Sequence, residues 1–175
     1  MSLLFHFNSS TENQMPIPKD KPGKSRQDYA TPADFLFALK DYLGIEKFTL
    51  DVAADSFNTV AEKFFTETDN ALIQDWDASP GWTFCNPPFG QIPAFTEKAK
   101  IESAKGAKIA MLIPASVGSN WWAKNVHLHA RVVFLNGRIT FVGETSPFTK
   151  DCAIVIYPPW PRHSSMYTVW NWRKK

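Results

Sequence analysis

Apolar positions along the chain fall into short strand-like runs that alternate with helical stretches. Apolar residues recur at helical spacing over 35–42 and predict a helix that ends at Gly44, with Thr31 as its N-cap and Pro32 in its first position. Further helices are predicted over 95–104 and 121–126, and strand-like runs over 47–51, 63–66, 83–85, 108–114, 131–135, 138–142 and 152–157. This order predicts an α/β fold with a mostly parallel sheet and an antiparallel C-terminal hairpin at one edge.

Composition predicts one folded domain with a polar arm before it. Of the 175 residues, 44% are apolar and 21% are charged, as in an ordinary globular protein. Residues 8–28 are rich in Ser, Lys, Pro and Asn, which favours irregular and solvated chain over a dedicated phosphate-binding arm. We therefore predict an N-terminal arm over 1–28, a folded domain over 29–160 and a C-terminal tail over 161–175.

Charge and cysteine usage narrow the class of protein. The formal net charge is only +2, so a polyanion such as nucleic acid would have to be bound by a local basic patch. Cys85 and Cys152 lack metal-ligand spacing, which predicts free thiols in a reducing cytoplasm and no metal site. Residues 1–7 lack the charged start of a signal peptide, and no apolar run reaches membrane-spanning length. We expect a soluble intracellular protein.

The most informative motif is the turn Asn86-Pro87-Pro88-Phe89, which follows the apolar run 82–85. Its two prolines fix the backbone and remove two N–H donors, so the turn is rich in hydrogen-bond acceptors. An exocyclic amine that donates to the Asn86 side-chain oxygen and the Pro87 carbonyl can pyramidalise and attack an electrophilic methyl group, while Phe89 offers a face for stacking. The alternative is an ordinary strand end with Phe89 in the core.

Six segments, in the order found here, resemble the phage-type DNA N6-adenine methyltransferases, which are small S-adenosylmethionine-dependent enzymes. These segments are Thr31-Pro32, Leu50-Asp51-Val52-Ala53-Ala54, Asp69-Asn70-Ala71-Leu72 with Asp75-Trp76, Asn86-Pro87-Pro88-Phe89, Leu112-Ile113-Pro114 and Gly137-Arg138-Ile139-Thr140-Phe141. The resemblance implies a Rossmann-like class I methyltransferase domain over 29–160, with its cofactor at the carboxyl ends of the strands.

The same resemblance implies an activity and its partners. The expected reaction is methyl transfer from S-adenosylmethionine to N6 of adenine in double-stranded DNA, with the target base flipped out of the helix. The enzyme is expected to act as a monomer or a homodimer in the cytoplasm of a bacterial host, encoded by a phage or prophage. Because no inserted recognition domain fits the chain, the loops over 90–95 and 143–150, the N-terminal arm or a second subunit are expected to read the DNA.

Site residues are carried over from the resemblance position by position. The implied catalytic residues are Asn86, Pro87, Pro88 and Phe89, and the implied cofactor-binding residues are Thr31, Pro32, Asp51, Ala53, Asp69 and Asn86. Ordinary structural roles stay open for several of them, because Asp51 and Asp69 can cap their own loops and Thr31 can begin a helix. Ala53 and Ala54 stand where wider methyltransferases carry a glycine-rich loop.

Two rival functions stay open. The first is a protein-glutamine or RNA N-methyltransferase. Its substrate nitrogen would also be a weak nucleophile, so the enzyme would use the same turn. A non-catalytic nucleic-acid-binding module would keep the fold and lose the cofactor. Cytosine C5 methylation is excluded, because it needs a nucleophilic Cys after Pro, and neither Cys85 nor Cys152 follows one.

Overall fold

A computed structural model of the protein describes residues 29–157 and 167–173. The predicted N-terminal arm lies outside these residues. The helices and strands are, in chain order, α1 (Ala33–Leu43), β1 (Leu50–Asp51), β2 (Lys63–Phe64), β3 (Thr83–Cys85), α2 (Ile92–Ala104), β4 (Ile109–Pro114), α3 (Asn120–Asn125), β5 (Arg131–Leu135), β6 (Cys152–Tyr157) and β7 (Tyr167–Trp170). Short 3-10 turns cover Ala71–Ile73 and Phe89–Gln91.

The strands form one seven-stranded sheet in the order β2-β1-β3-β4-β6-β5-β7. Every neighbouring pair is parallel except the two that involve β6, which runs antiparallel to β4 and to β5. The prediction of a mostly parallel α/β sheet is therefore confirmed. Loops after β1, β2, β3 and β4 consequently meet at one edge of the sheet, where open α/β folds bind their ligands.

The predicted C-terminal hairpin, between the runs 138–142 and 152–157, is right in the antiparallel direction of its second strand and wrong in its partner and its place. β5 and β6 pair antiparallel, with Arg131 opposite Ile156, but β6 lies inside the sheet between β4 and β5. Every residue of β6 is buried, which requires cover on both faces and excludes an edge position. The edge belongs to β7, whose residues alternate between exposed and half-buried.

β7 falls within 161–175, the segment predicted as a tail, so this part of the segment belongs to the sheet. It pairs with β5 in parallel, with Val132 opposite Tyr167. By contrast, the strand-like run over 138–142 forms no strand. Its alternation arises because Ile139 and Phe141 are buried in the core while their neighbours are not.

Helix α1 begins one residue later than the sequence predicts. Pro32 occupies the N-cap position in extended conformation, and its carbonyl accepts the hydrogen bond from Leu36 N at 3.1 Å. Thr31 therefore lies before the helix and makes no capping bond, so the predicted cap is wrong. The predicted end is confirmed, because Gly44 adopts a left-handed conformation with φ of 68° that suits glycine.

The sheet separates two apolar clusters, which the alternating residues of β4 show directly. Ile109, Met111 and Ile113 pack into a cluster with residues of α2 and α3. Ala110 and Leu112 face the other cluster, which holds α1 and the segment 139–141. Both faces of the sheet are therefore covered by packed residues. A ligand can reach the sheet only at an edge, and the loops described above meet at the carboxyl edge.

Candidate active site

A cavity of about 790 Å³ lies where β1, β2 and β3 end. Its walls come from the loops that follow these three strands, together with Tyr29 from the segment before α1. The lining residues are Tyr29, Val52, Ala53, Ala54, Asp55, Asn58, Phe65, Thr66, Glu67, Thr68, Asn70, Ala71, Leu72, Asn86, Pro88, Gly90, Gln91 and Phe95. The volume is ample for a nucleotide-sized molecule.

Asn86 is one of the polar residues that line this cavity. Its side-chain nitrogen donates two hydrogen bonds, one to the carbonyl of Tyr29 and one to the Thr31 hydroxyl at 3.1 Å. Its side-chain oxygen is buried and accepts no hydrogen bond from the part of the chain that the structure describes. A buried acceptor without a donor costs free energy of about 1–3 kcal/mol, so it marks a place where a ligand donor would be favourable.

The two prolines after Asn86 differ in burial and in their contacts. Pro87 is buried, whereas Pro88 is half-buried and lines the cavity. The Pro88 carbonyl accepts from Gln91 N at 2.8 Å, which closes a 3-10 turn directly after the prolines. Asn86 thus sits between strand β3 and a rigid turn, so its side chain has little freedom to move away from the cavity.

Phe89 does not line the cavity but belongs to an aromatic cluster of four rings, defined here as Tyr29, Phe89, Phe141 and Phe148. The Phe89 ring centroid lies 5.2 Å from that of Tyr29, 5.1 Å from that of Phe148 and 6.1 Å from that of Phe141. These separations are typical of packed aromatic pairs. Tyr29 is the member of this cluster that also lines the cavity, together with Asn86 and Pro88.

Asp51 is buried at 3% exposure, and its carboxylate is turned towards the loop that follows β1. It accepts hydrogen bonds from Ala53 N at 3.3 Å and from Val60 N at 3.1 Å. Burial raises the pKa of Asp51 to about 6, against the opposing effect of these two bonds, and the nearby Asp55 carboxylate adds to the rise. These contacts are those expected if Asp51 caps its own loop and does not contact the cofactor.

Asp69 also caps its own loop. Its carboxylate accepts from the Thr66 backbone N–H at 2.8 Å and from the Thr66 hydroxyl at 2.6 Å. These hydrogen bonds lower the pKa of Asp69, with the side-chain bond making the larger contribution. Asp69 is exposed and does not line the cavity, although its neighbour Asn70 does.

Of the predicted cofactor residues, Ala53 and Asn86 line the cavity, and Thr31, Pro32, Asp51 and Asp69 do not. Ala53 and Ala54 bring backbone and small side chains to the wall, as a glycine-rich loop would. Ala54 N donates to the Phe65 carbonyl at 3.1 Å, which ties the loops after β1 and β2 together.

Two acidic residues that line the cavity were not identified as site residues from the sequence. Asp55 follows β1, and its carboxylate accepts from Phe57 N at 2.7 Å and from Asn58 N at 3.0 Å. Glu67 follows β2 and is exposed at the cavity wall. The signal that points to both is their position a few residues beyond a strand that ends at the carboxyl edge, where side chains converge.

Several basic residues, whose side chains are of the type that contacts DNA phosphate, are engaged in ion pairs. Lys98 and Lys105 contact Glu102 at 2.7 Å and 2.8 Å. Lys124 contacts Glu97 at 3.3 Å, and Arg138 contacts Asp151 at 3.2 Å. These pairs leave the side chains of Lys105, Lys124 and Arg138 more than half exposed, so they stay accessible to an anion.

Neither a metal-binding cluster nor a membrane-spanning helix occurs in the part of the chain that the structure describes. Within residues 29–157 and 167–173, no group of three or more His, Cys, Asp or Glu side chains has the arrangement of a metal site. None of the helices in the same ranges is long and apolar enough to cross a membrane.

An open α/β sheet with a cavity at the carboxyl ends of its strands places the protein in the class of α/β folds whose ligand sites lie at that edge. Within that class, the chain belongs to the family described as DNA N-6-adenine-methyltransferase (Dam), whose model matches residues 19–173. The predicted family is therefore confirmed. A curated relative, the DNA N-6-adenine-methyltransferase of Escherichia phage T1, is 28% identical over 119 residues. That match covers 68% of this chain and 49% of the relative, so the chain spans about half of the relative's length.

Proposed function

We propose that the protein transfers a methyl group from S-adenosylmethionine to N6 of adenine in double-stranded DNA, on a Rossmann-like class I methyltransferase sheet. The observation that carries the proposal is the buried Asn86 side-chain oxygen, which faces no donor among the described residues. Family membership supplies the chemistry to which this acceptor is fitted. The proposal includes a phage or prophage origin and action in the host cytoplasm, which the similarity to the phage T1 protein supports.

The cavity suits S-adenosylmethionine in size and in lining. Val52, Phe65 and Leu72 provide an apolar wall that fits an adenine ring. Asp55 and Glu67 bring carboxylates that fit hydroxyl groups or a positive charge. Ala53 and Ala54 allow close approach of the backbone. Asp51 and Asp69 support this site through the loops they cap.

When bound, S-adenosylmethionine would supply an electrophilic methyl group. The protein's part is to present the amine. One N–H of the amine donates to the Asn86 oxygen, and the other to the Pro87 carbonyl, because the Pro88 carbonyl is already engaged by Gln91. Held in this way by Asn86 and the Pro87 carbonyl, the nitrogen lone pair would leave conjugation with the base and become available to that methyl group. The surplus proton would then pass to solvent.

A stacked adenine in duplex DNA cannot reach Asn86, so the proposal includes base flipping. The aromatic cluster lies beside the turn and would replace part of the lost stacking. Tyr29 is the member of the cluster that lines the cavity, and its ring centroid lies 5.2 Å from that of Phe89. We therefore assign the face against the base to Tyr29 and the supporting role to Phe89.

The test offers labelled S-adenosylmethionine with three acceptors: unmethylated duplex DNA, single-stranded RNA and a glutamine-containing peptide. We expect label in DNA, recovered as N6-methyladenine after digestion to nucleosides. DNA that is already fully N6-methylated serves as the matched control and should accept no label. Label in RNA or in glutamine with none in DNA would contradict the proposed substrate. Cofactor binding without transfer to any acceptor would point to a non-catalytic module.

A further inference from the structure

The two hydrogen-bond donors of the Asn86 amide are both occupied by one short segment. The Tyr29 carbonyl and the Thr31 hydroxyl accept them, although these residues precede Asn86 by 57 and 55 positions in the chain. The contact to Thr31 is 3.1 Å, within normal hydrogen-bond range. The segment before α1 is thus in direct contact with the predicted catalytic side chain.

These two acceptors determine which way the amide faces. A carbonyl can only accept, so the amide nitrogen must lie towards Tyr29, and a flipped amide would set two oxygens against each other. The Thr31 hydroxyl accepts the second N–H. Together they direct the Asn86 oxygen away from the segment, where it finds no donor within residues 29–157 and 167–173.

Backbone hydrogen bonds and ring packing fix the position of the Tyr29–Thr31 segment. Val142 N donates to the Ala30 carbonyl at 3.0 Å, and Leu36 N donates to the Pro32 carbonyl at 3.1 Å. The Tyr29 ring packs in the aromatic cluster, 4.9 Å from the Phe141 ring between centroids. The hydroxyl is therefore placed by a fixed backbone.

We propose that Thr31 is a positioning residue, whose hydroxyl orients the Asn86 amide for the substrate amine, rather than a contact to the cofactor. Thr31 does not line the cavity, which is the physical reason to separate it from cofactor binding. The inference rests on the proposed function for its catalytic meaning, since it assigns Asn86 the role of acceptor. The hydrogen bond itself is testable without any activity.

The kinetic test compares Thr31→Val, which keeps the shape and removes the hydroxyl, with Thr31→Ser, which keeps the hydroxyl. Loss of one supporting hydrogen bond should lower kcat about fivefold to tenfold in Thr31→Val. The Kd for S-adenosylmethionine should not change, and Thr31→Ser should retain most of the native kcat. Thermal unfolding of each variant separates this effect from a loss of folded protein. A raised cofactor Kd with native kcat, equal losses in both variants, or no change in kcat would overturn the proposal.

The second readout follows the Asn86 side-chain NH₂ by ¹⁵N–¹H spectroscopy, with the signal identified by its disappearance in Asn86→Ala. Removing the Thr31 hydroxyl should shift this signal and speed the hydrogen exchange of one of its two protons, whereas Thr31→Ser should shift it much less. A signal unmoved by Thr31→Val would overturn the proposal even in an active enzyme. A protein that methylates nothing but shows the shift would keep the contact and refute the proposed function instead.

Discussion

Replacing the buried Asp51 by Asn tests how the loop after β1 is held. The Asp51 carboxylate accepts two backbone N–H groups, from Ala53 and Val60, and Ala53 lines the cavity. Asn keeps the shape but offers one acceptor oxygen instead of two, so one of these N–H groups loses its partner. At neutral pH the lost hydrogen bond lowers the stability of the variant, whereas removal of a buried charge raises it.

The dependence on pH isolates the charge. The pKa of Asp51 is about 6 in the folded protein against 3.8 ordinarily, so the folded state binds a proton more tightly. The contribution of Asp51 to the free energy of unfolding is therefore largest at low pH and falls as the pH rises from about 4 to about 6. Two pKa units correspond to about 3 kcal/mol, of which about 1.4 kcal/mol lies between about pH 5 and about pH 7.5.

Urea unfolding of the native protein and of Asp51→Asn across this pH range measures the effect. The native protein should gain about 1.4 kcal/mol relative to the variant as the pH falls from about 7.5 to about 5. Asp41→Asn, which removes an exposed carboxylate of α1, is the matched control for the procedure. A stability difference that is independent of pH, or one that favours the variant as the pH falls, would refute the account of Asp51 as a buried and poorly solvated carboxyl.

Two further substitutions test the cavity and the ion pairs of α2. Ala53→Leu places a larger side chain in the cavity and should raise the Kd for S-adenosylmethionine by about tenfold or more, as measured by calorimetry. The control is Ala104→Leu at an exposed position, which should leave this Kd unchanged. An unchanged Kd in Ala53→Leu would contradict the assignment of the cavity to the cofactor. Burial favours a raised pKa for Glu102, but hydrogen bonds from Lys105 and Lys98 outweigh it and lower the pKa to about 2 from 4.5. The stability contributed by Glu102 is therefore present above about pH 4.5 and lost as the pH falls towards 2, so Glu102→Gln should cost about 2 kcal/mol in urea unfolding at pH 7 and progressively less in acid. A cost that grows as the pH falls would contradict this ion-pair role, and Glu97→Gln at the exposed pair with Lys124 is the control.

The parts of the fold that the sequence predicted well are those with a local signal. β4 and β6 are continuous apolar runs, and both are fully buried strands. β7 was missed because its four residues pair only with β5, a partner far away in the chain, and half of them are exposed. Residues 138–142 mislead in the opposite direction, since they have a strand-like alternation that arises from packing of Ile139 and Phe141 rather than from strand pairing.

The candidate site shows the same division. Asn86 stands out in the sequence because the proline turn that follows it is local, and the structure places it in the cavity. Asp51 ends β1 and Asp55 follows four residues later, and only the path of the backbone decides that Asp55 lines the cavity and Asp51 does not. The contact between Thr31 and Asn86 joins residues 55 positions apart and has no signature in either segment.

The most direct test of the central claim is the rate of N6-methyladenine formation in duplex DNA by the native protein and by Asn86→Ala. If the Asn86 oxygen accepts the substrate amine, its removal should lower kcat about 100-fold or more, as does loss of one polar group that stabilises a transition state. Asn136→Ala, an exposed change at the end of β5, should keep native activity. Native activity in Asn86→Ala would contradict the claim, whatever the fold and the family.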